Sequence, residues 1–262
     1  MKTATLSQSD ARSKRVVALL LGVFCHTSFA IAVAAMAVGL WSGMASGFGR
    51  LTGGAAWSAN LALTLQFPLL HSWFLSGRGR RHLAKLLPRE LGRDLVTTLF
   101  ATFASLQLLA TFLLWSPVGP ILFEVDGWAR NLSGIAYGAS WLALSKSMLD
   151  AGLGLQTGWL GWSAVVRGAK PSYGPLPTGG LFRLCRQPIY LSFLLILLTP
   201  VAWTPDRILV VSVWGAYCLL GPLLKEARFG VIFGAAFDDY RRRVPYFVPR
   251  LPGRRASQRG RP

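Results

Sequence analysis

Six long apolar stretches dominate the pattern of hydrophobic and polar positions along the chain. They fall at about residues 16–44, 55–75, 95–115, 132–149, 189–203 and 208–224. A membrane-spanning helix needs about 20 apolar residues, with a range of roughly 17–25. The first stretch is much longer than a signal-peptide core of about 7–15 residues, so we interpret it as a retained helix. The short fifth stretch and the sixth, split at Thr204-Pro205-Asp206, predict a helical hairpin.

The basic residues predict the orientation of these helices. From the N-terminal arm to the C-terminal tail, successive polar segments hold 4, 1, 6, 1, 4, 1 and 10 lysines or arginines. Cytoplasmic segments of membrane proteins carry the excess of positive charge. The alternation therefore predicts six spans with both termini cytoplasmic. We expect the membrane to be a bacterial-type inner membrane.

Composition changes the picture in only one respect, the nature of the partner. The chain is 52% hydrophobic and 15% charged, whereas soluble domains carry about 25% charge. A net charge of +18 raises nucleic acid as a candidate partner. Because the basic residues lie between apolar stretches, we expect them to meet anionic lipid head groups instead. The three cysteines and three histidines show no pairing or ligand spacing, so we predict no disulfide framework and no metal site.

The same pattern predicts an all-α, polytopic membrane protein organised in three parts. Residues 1–150 form an N-terminal scaffold of four spans. Residues 151–250 hold a Gly- and Pro-rich connection, the C-terminal hairpin and a cytoplasmic amphipathic helix, and residues 251–262 form a basic tail that we expect to be disordered. The apolar face of that helix, at helical spacing, consists of Phe229, Ile232, Phe233, Phe237 and Tyr240.

Candidate chemistry is concentrated at the cytoplasmic mouth of the predicted hairpin. Pro188 suits the first turn of a helix, and a helix N-terminus beside Arg186 favours a carboxylate or another anion. Tyr190, one turn further on, offers a hydroxyl or a ring face. The hairpin returns at Glu226, which we expect within reach of Arg186 and Tyr190, as a partner for a sulfonium or a ribose hydroxyl. A snorkelled arginine, a helix-starting proline and a surface ion pair explain the same residues without a ligand.

These residues also resemble the motif of a known family. The order is Arg-x-Pro-x-Tyr at 186–190, Thr199-Pro200, Glu226, Phe233-Gly234, Tyr240-Arg241 and Val244-Pro245. It resembles the membrane methyltransferase superfamily, which includes isoprenylcysteine carboxyl methyltransferases and phospholipid methyltransferases. The resemblance is closest to the bacterial methanethiol S-methyltransferase type and covers about residues 55–250.

The resemblance implies S-adenosylmethionine as cofactor, bound on the cytoplasmic side, and a small thiol or lipophilic acceptor that enters from the bilayer. It implies that Arg186 and Glu226 take part in catalysis. The residues that it places around the cofactor are Gln187, Pro188, Ile189, Tyr190, Glu226 and Tyr240. It leaves the acceptor's identity and the oligomeric state open.

Four positions depart from the family motif. Gln187 stands in place of His, Lys225 in place of the first of two Glu, Phe237 in place of Tyr, and Ser192 in place of Gly. Gln cannot hold a proton for acid–base work, and Lys225 reverses a charge beside a cationic cofactor. The departures keep open an alternative, a catalytically inactive membrane scaffold or partner subunit. A transporter is disfavoured because the spans show neither an inverted repeat nor a central acidic residue.

Overall fold

The computed structural model describes residues 2–249, and most of them are helical. In chain order the helices are α1 (Lys2–Trp41), α2 (Gly53–Leu75), α3 (Gly77–Ala84), α4 (Arg89–Asp94), α5 (Val96–Leu113), α6 (Gly127–Asp150), α7 (Leu153–Gln156), α8 (Trp159–Val166), α9 (Pro188–Leu198), α10 (Pro205–Phe233) and α11 (Ala235–Arg243). A 3₁₀ turn, Gly180–Arg183, precedes α9. Two short strands, β1 (Phe123–Glu124) and β2 (Ala202–Trp203), pair antiparallel. The tail predicted to be disordered, 251–262, lies outside the described residues.

The predicted all-α membrane class is confirmed in coarse form. Within residues 2–249, three segments are long and apolar enough to cross a bilayer: Asp10–Trp41, α5 and α10. Large apolar side chains remain exposed along the long helices, for example Leu20, Leu142 and Leu220. An apolar surface of this kind is expected where a protein faces lipid.

The core lies where α1, α5, α6, α9 and α10 meet. Its buried side chains include Leu40 from α1, Phe112 from α5, Ile196 from α9 and Trp214 from α10. Gly39 permits the close approach of α1 and α5, because a Cβ at this position would lie 2.5 Å from Cδ1 of Phe112. Small residues of this kind let helix backbones approach closely in membranes.

The Gly- and Pro-rich connection after α6 is ordered in part. Helices α7 and α8 form within it, and α8 packs against α1 and α5. The indole Nε1 of Trp162 donates to Nε2 of His26 at 3.0 Å. His26, which lies within the first apolar stretch, is therefore a hydrogen-bonded packing residue.

The hairpin tip is more elaborate than the turn that the sequence predicts. Asp206, 2% exposed, accepts hydrogen bonds from Trp115 Nε1 at 2.9 Å, from the backbone N–H of Val118 at 2.8 Å and from Asn60 Nδ2 at 3.2 Å. These bonds tie the start of α10 to α2 and to the end of α5. Arg207, one of the few basic residues on this side in the charge pattern, is fully buried rather than exposed.

The guanidinium of Arg207 bonds to the end of α9 and to the segment that joins α9 to α10. It donates to the carbonyls of Leu197 at 2.9 Å, Pro200 at 2.6 Å and Ala202 at 2.7 Å, and lies 3.9 Å from the ring centroid of Trp203. Carbonyls at a helix C-terminus lack partners within the helix and attract cations. Arg207 therefore supplies the donors that the end of α9 needs.

The region after the last predicted span differs in shape from a single amphipathic helix. Helix α10 continues to Phe233, and Gly234, with φ +52° and ψ −129°, separates it from α11. A residue with positive φ ends a helix. Phe237 and Tyr240 of α11 are buried, but Ile232, predicted on the same apolar face, is 65% exposed.

Candidate functional site

The hairpin mouth is assembled from segments far apart in the chain. The 3₁₀ turn and the start of α9 meet the second half of α10, and α11 packs beneath them. Phe182, Phe237 and Tyr240 form a buried cluster. The Tyr240 hydroxyl donates to the backbone carbonyl of Phe182 at 2.7 Å. This contact fixes the 3₁₀ turn against α11, directly below the polar residues that open α9.

Arg186 and Glu226 form a bidentate ion pair. Arg186 Nε lies 2.8 Å from Glu226 Oε1, and Nη2 lies 3.2 Å from Oε2. Arg186 Nη1 also donates to the carbonyls of Arg241 at 3.1 Å and Val244 at 2.7 Å. An arginine has five side-chain N–H donors, and these bonds use four of them. Arg186 therefore joins the hairpin mouth to the chain that leaves α11.

Gln187 connects the carboxylate to the neighbouring lysine. Its side chain is 1% exposed. The amide nitrogen donates to Glu226 Oε1 at 2.7 Å, and the amide oxygen accepts from Lys225 Nζ at 2.8 Å. An amide offers a donor and an acceptor at once, so Gln187 satisfies two oppositely charged groups.

The ammonium of Lys225 lies among three aromatic rings. Its Nζ is 5.4 Å from the ring centroid of Phe229, 5.7 Å from that of Phe182 and 5.7 Å from that of Tyr190. All three distances are within the range of cation–π attraction, about 6 Å. We call Phe182, Tyr190 and Phe229 the aromatic cage.

Two further groups beside the cage remain protonated near neutral pH. Burial raises the pKa of the Cys185 thiol and of the Tyr240 phenol, because the charged forms lose hydration. Neither group is therefore an anionic base at this site. Among the described residues, the charged groups near the cage include the Arg186–Glu226 pair, Lys225 and Arg228.

The structure brings together all of the site residues proposed from the sequence. Arg186, Gln187 and Glu226 share one hydrogen-bond network, and Tyr190 belongs to the aromatic cage. Pro188 and Ile189 form the first turn of α9, where Ile189 packs against the buried cluster that holds Tyr240.

Sequence reasoning missed the cage. The sequence pattern marks Lys225 only as a reversed charge, and it does not distinguish Phe182 from its neighbours. A partial signal was present, because Phe229 follows Lys225 by four residues and so lies on the same helix face. Nothing local indicates that Phe182, more than 40 positions earlier, completes the cage.

Comparison with known proteins gives a consistent set of relatives. The chain is 32% identical over 208 residues to methanethiol S-methyltransferase 2 of Bradyrhizobium diazoefficiens, covering 78% of this chain and 77% of that protein. It is 25% identical over 254 residues to methanethiol S-methyltransferase of Crocosphaera subtropica, covering 92% and 95%. It is 23% identical over 212 residues to methanethiol S-methyltransferase of Pseudomonas deceptionensis, covering 78% and 79%. No protein-family profile and no solved structure matches the chain.

Proposed function

Because the chain belongs to the methanethiol S-methyltransferase family, we propose that it is an integral-membrane methyltransferase. It transfers a methyl group from S-adenosylmethionine to a small thiol or a lipophilic acceptor, and the names of its relatives favour the small thiol. One observation carries the proposal beyond family membership. The segments around 186–190 and 225–240 converge on a charged network that adjoins an aromatic cage.

The residues present fit such a cofactor. Oε2 of Glu226 accepts one hydrogen bond in the described residues and retains a lone pair for a ribose hydroxyl. The remaining N–H of Arg186 can donate to a carboxylate. Aromatic faces accept a cationic sulfur. When bound, the cofactor supplies a methyl group that passes from its sulfonium to a thiolate whose proton has gone to water, leaving two neutral thioethers.

The chain's own residues would act by positioning and by excluding water. Arg186 and Gln187 hold the Glu226 carboxylate in one orientation. The hydrogen bond from Tyr240 holds the backbone of Phe182, one residue of the aromatic cage, in place. Charge is neutralised in a transfer between a sulfonium and a thiolate, so a dry, preorganised site favours the reaction. Gln187 is compatible with this chemistry because no side chain has to carry a proton.

The proposal includes the number of membrane spans and the side of the membrane on which each terminus lies. The chain crosses a bacterial inner membrane six times with both termini cytoplasmic, residues 1–150 act as scaffold, and α11 lies along the cytoplasmic surface. The β1–β2 pairing supports it, because it joins two segments that the charge pattern assigns to the same side. The buried Phe237 and the exposed arginines of α11 also support it, since surface helices have one apolar and one charged face.

Cofactor binding tests the proposal directly. We expect detergent-purified protein to bind S-adenosylhomocysteine in a calorimetric titration. We expect Glu226→Ala and Tyr190→Ala to weaken binding at least tenfold, about 1.4 kcal/mol. Glu124→Gln, at an exposed carboxylate on the β1 strand, is the matched control, and His26→Ala is the packing control. Absence of binding at millimolar ligand would contradict the proposal. Radiolabelled methyl transfer with a panel of thiols and lipids would then identify the acceptor.

A second function is favoured by one observation, the lysine inside the aromatic cage. An ammonium in that position opposes a cationic cofactor, as expected of a catalytically inactive scaffold or partner subunit. This alternative predicts stable co-purification with one partner and a cellular phenotype that does not change in Glu226→Ala.

A further inference from the structure

The cation beside the rings of the aromatic cage belongs to the chain itself. Three rings from three segments surround one ammonium: Phe182 from the 3₁₀ turn, Tyr190 from α9 and Phe229 from α10. Cages of this kind recognise cations that carry methyl groups, because ring faces attract positive charge without requiring hydrogen bonds. A sulfonium is such a cation, and a lysine ammonium resembles it in charge and size.

We propose that the aromatic cage is the sulfonium subsite and that Lys225 is a built-in competitor, which the sulfonium must displace. This rests on the proposed function and deepens it. It places the charged sulfur of the cofactor among Phe182, Tyr190 and Phe229, and it leaves Glu226 and Arg186 to the polar parts of the molecule.

The contacts of Lys225 are those of a displaceable group. In the described residues its Nζ makes one hydrogen bond, to Gln187 Oε1, although an ammonium has three donors. The Glu226 carboxylate is already held by Arg186 and Gln187 and forms no ion pair with Lys225 in the described part of the chain. The flexible four-carbon stem allows the ammonium to leave the cage without movement of α10.

The ammonium of Lys225 and a sulfonium cannot occupy the cage together, because two positive charges in contact repel each other. Entry of a sulfonium therefore requires withdrawal of the lysine, whereas a neutral thioether packs against the rings, Tyr190 included, without the added attraction between a ring face and a cation. The wild-type protein should thus discriminate poorly between S-adenosylmethionine, which carries a sulfonium, and S-adenosylhomocysteine, which does not. Removal of the ammonium should restore the discrimination.

The experiment measures the ratio of two dissociation constants. S-adenosylmethionine and S-adenosylhomocysteine are titrated by calorimetry into detergent-purified wild type, Lys225→Met and Lys225→Gln. We expect both variants to shift the ratio about tenfold in favour of the sulfonium, a change of about 1.4 kcal/mol. Two different replacements guard against a folding defect in either one, which thermal unfolding would reveal.

Substitutions of two phenylalanines test whether the effect depends on the rings of the cage or on the neighbouring apolar packing. Phe229→Leu in the Lys225→Met background should abolish the shift of the dissociation-constant ratio in favour of S-adenosylmethionine. Phe233→Leu is the matched control, because Phe233 contacts Phe229 on the same helix but does not line the cage. In the same background, Phe233→Leu should leave the shift in the dissociation-constant ratio unchanged.

The outcomes distinguish the two proposals. If both nucleosides bind but the ratio is the same in wild type and in the Lys225 variants, the cage assignment is wrong and the proposed function stands. If the ratio shifts and Phe233→Leu abolishes the shift as fully as Phe229→Leu does, the cage assignment is also wrong. If neither nucleoside binds any of the proteins, both proposals fail.

Discussion

At the scale of single residues, the hairpin mouth is organised by side chains that satisfy one another. Glu226 accepts from Arg186 and Gln187, Gln187 accepts from Lys225, and Tyr240 donates to a backbone carbonyl. Polar groups that are buried must find such partners, because each one left unpaired costs about 1–3 kcal/mol. The part of the network that joins Arg186, Gln187 and Glu226 is therefore a condition for folding as well as a candidate for binding.

Tyr240 provides a prediction at this scale. Tyr240→Phe removes the hydrogen bond to the Phe182 carbonyl and leaves that oxygen buried, so we expect a loss of about 1–2 kcal/mol in the free energy of unfolding. Thermal unfolding in detergent measures it. Tyr173→Phe is the control, because the Tyr173 hydroxyl lies in an exposed hydrogen bond, which it accepts from Arg80. An equal loss in both variants would contradict a specific role for Tyr240.

At the scale of elements, the C-terminal hairpin combines helices of very different length. Helix α9 has 11 residues, which at 1.5 Å per residue is about 16 Å, half of a hydrocarbon core of about 30 Å. Where a helix ends within or near a bilayer, the protein itself must supply hydrogen-bond donors to the backbone carbonyls at that end. Arg207 donates to the carbonyl of Leu197 in α9 and to those of Pro200 and Ala202, which follow it, and β2 pairs with β1. A short helix is tolerated here because its end is covered by donors from α10.

Arg207 provides a prediction for this element. Arg207→Met removes the donors to the carbonyls of Leu197, Pro200 and Ala202, and we expect a loss of about 3 kcal/mol or more in the free energy of unfolding. Arg130→Met, which removes an exposed arginine paired with Glu124 near the same end of the molecule, should cost less than about 1 kcal/mol. Thermal unfolding of the two variants in the same detergent checks the difference, and similar midpoints would refute the capping role of Arg207.

At the scale of the whole molecule, the long helices bring the charged segments to two opposite ends. The β1–β2 pair and the buried Asp206 belong to one end. The Arg186–Glu226 pair and α11 belong to the other, at the far end of α10. Within residues 2–249, the segments with one basic residue each lie around the hairpin tip. Leu51, next to Arg50, hydrogen-bonds to Ser116, Arg130 pairs with Glu124 of β1, and Arg207 lies at the start of α10. The site therefore faces the side on which the positive charge is concentrated.

Labelling of intact cells tests this orientation. A cysteine introduced at exposed Arg130 should react with a membrane-impermeant thiol reagent, and a cysteine at exposed Arg241 should react only after the cells are opened. The native Cys25, Cys185 and Cys218 are buried and provide the unlabelled background. Labelling of position 241 in intact cells would reverse the predicted topology.

Much of the architecture was readable because it depends on properties that are local along the chain. Apolar length predicts helices, and Pro188 marks the start of α9. The orientation that the basic residues indicate stays a prediction. The motif residues from Arg186 to Tyr240 could also be selected, because their types and spacing resemble those of the family. The break at Gly234 was missed, since glycine is tolerated within helical patterns and only its backbone conformation shows that the helix ends there.

The amino-acid sequence by itself thus determined the helical membrane class and the hairpin, since hydrophobic length acts on each segment separately, and the motif selected the residues that we expect to act at the hairpin mouth. Only the tertiary structure decided that Phe182, Tyr190 and Phe229 enclose the ammonium of Lys225, and that Arg207 is buried at the end of α9. These arrangements depend on distances between segments, and such distances exist only after the helices have packed.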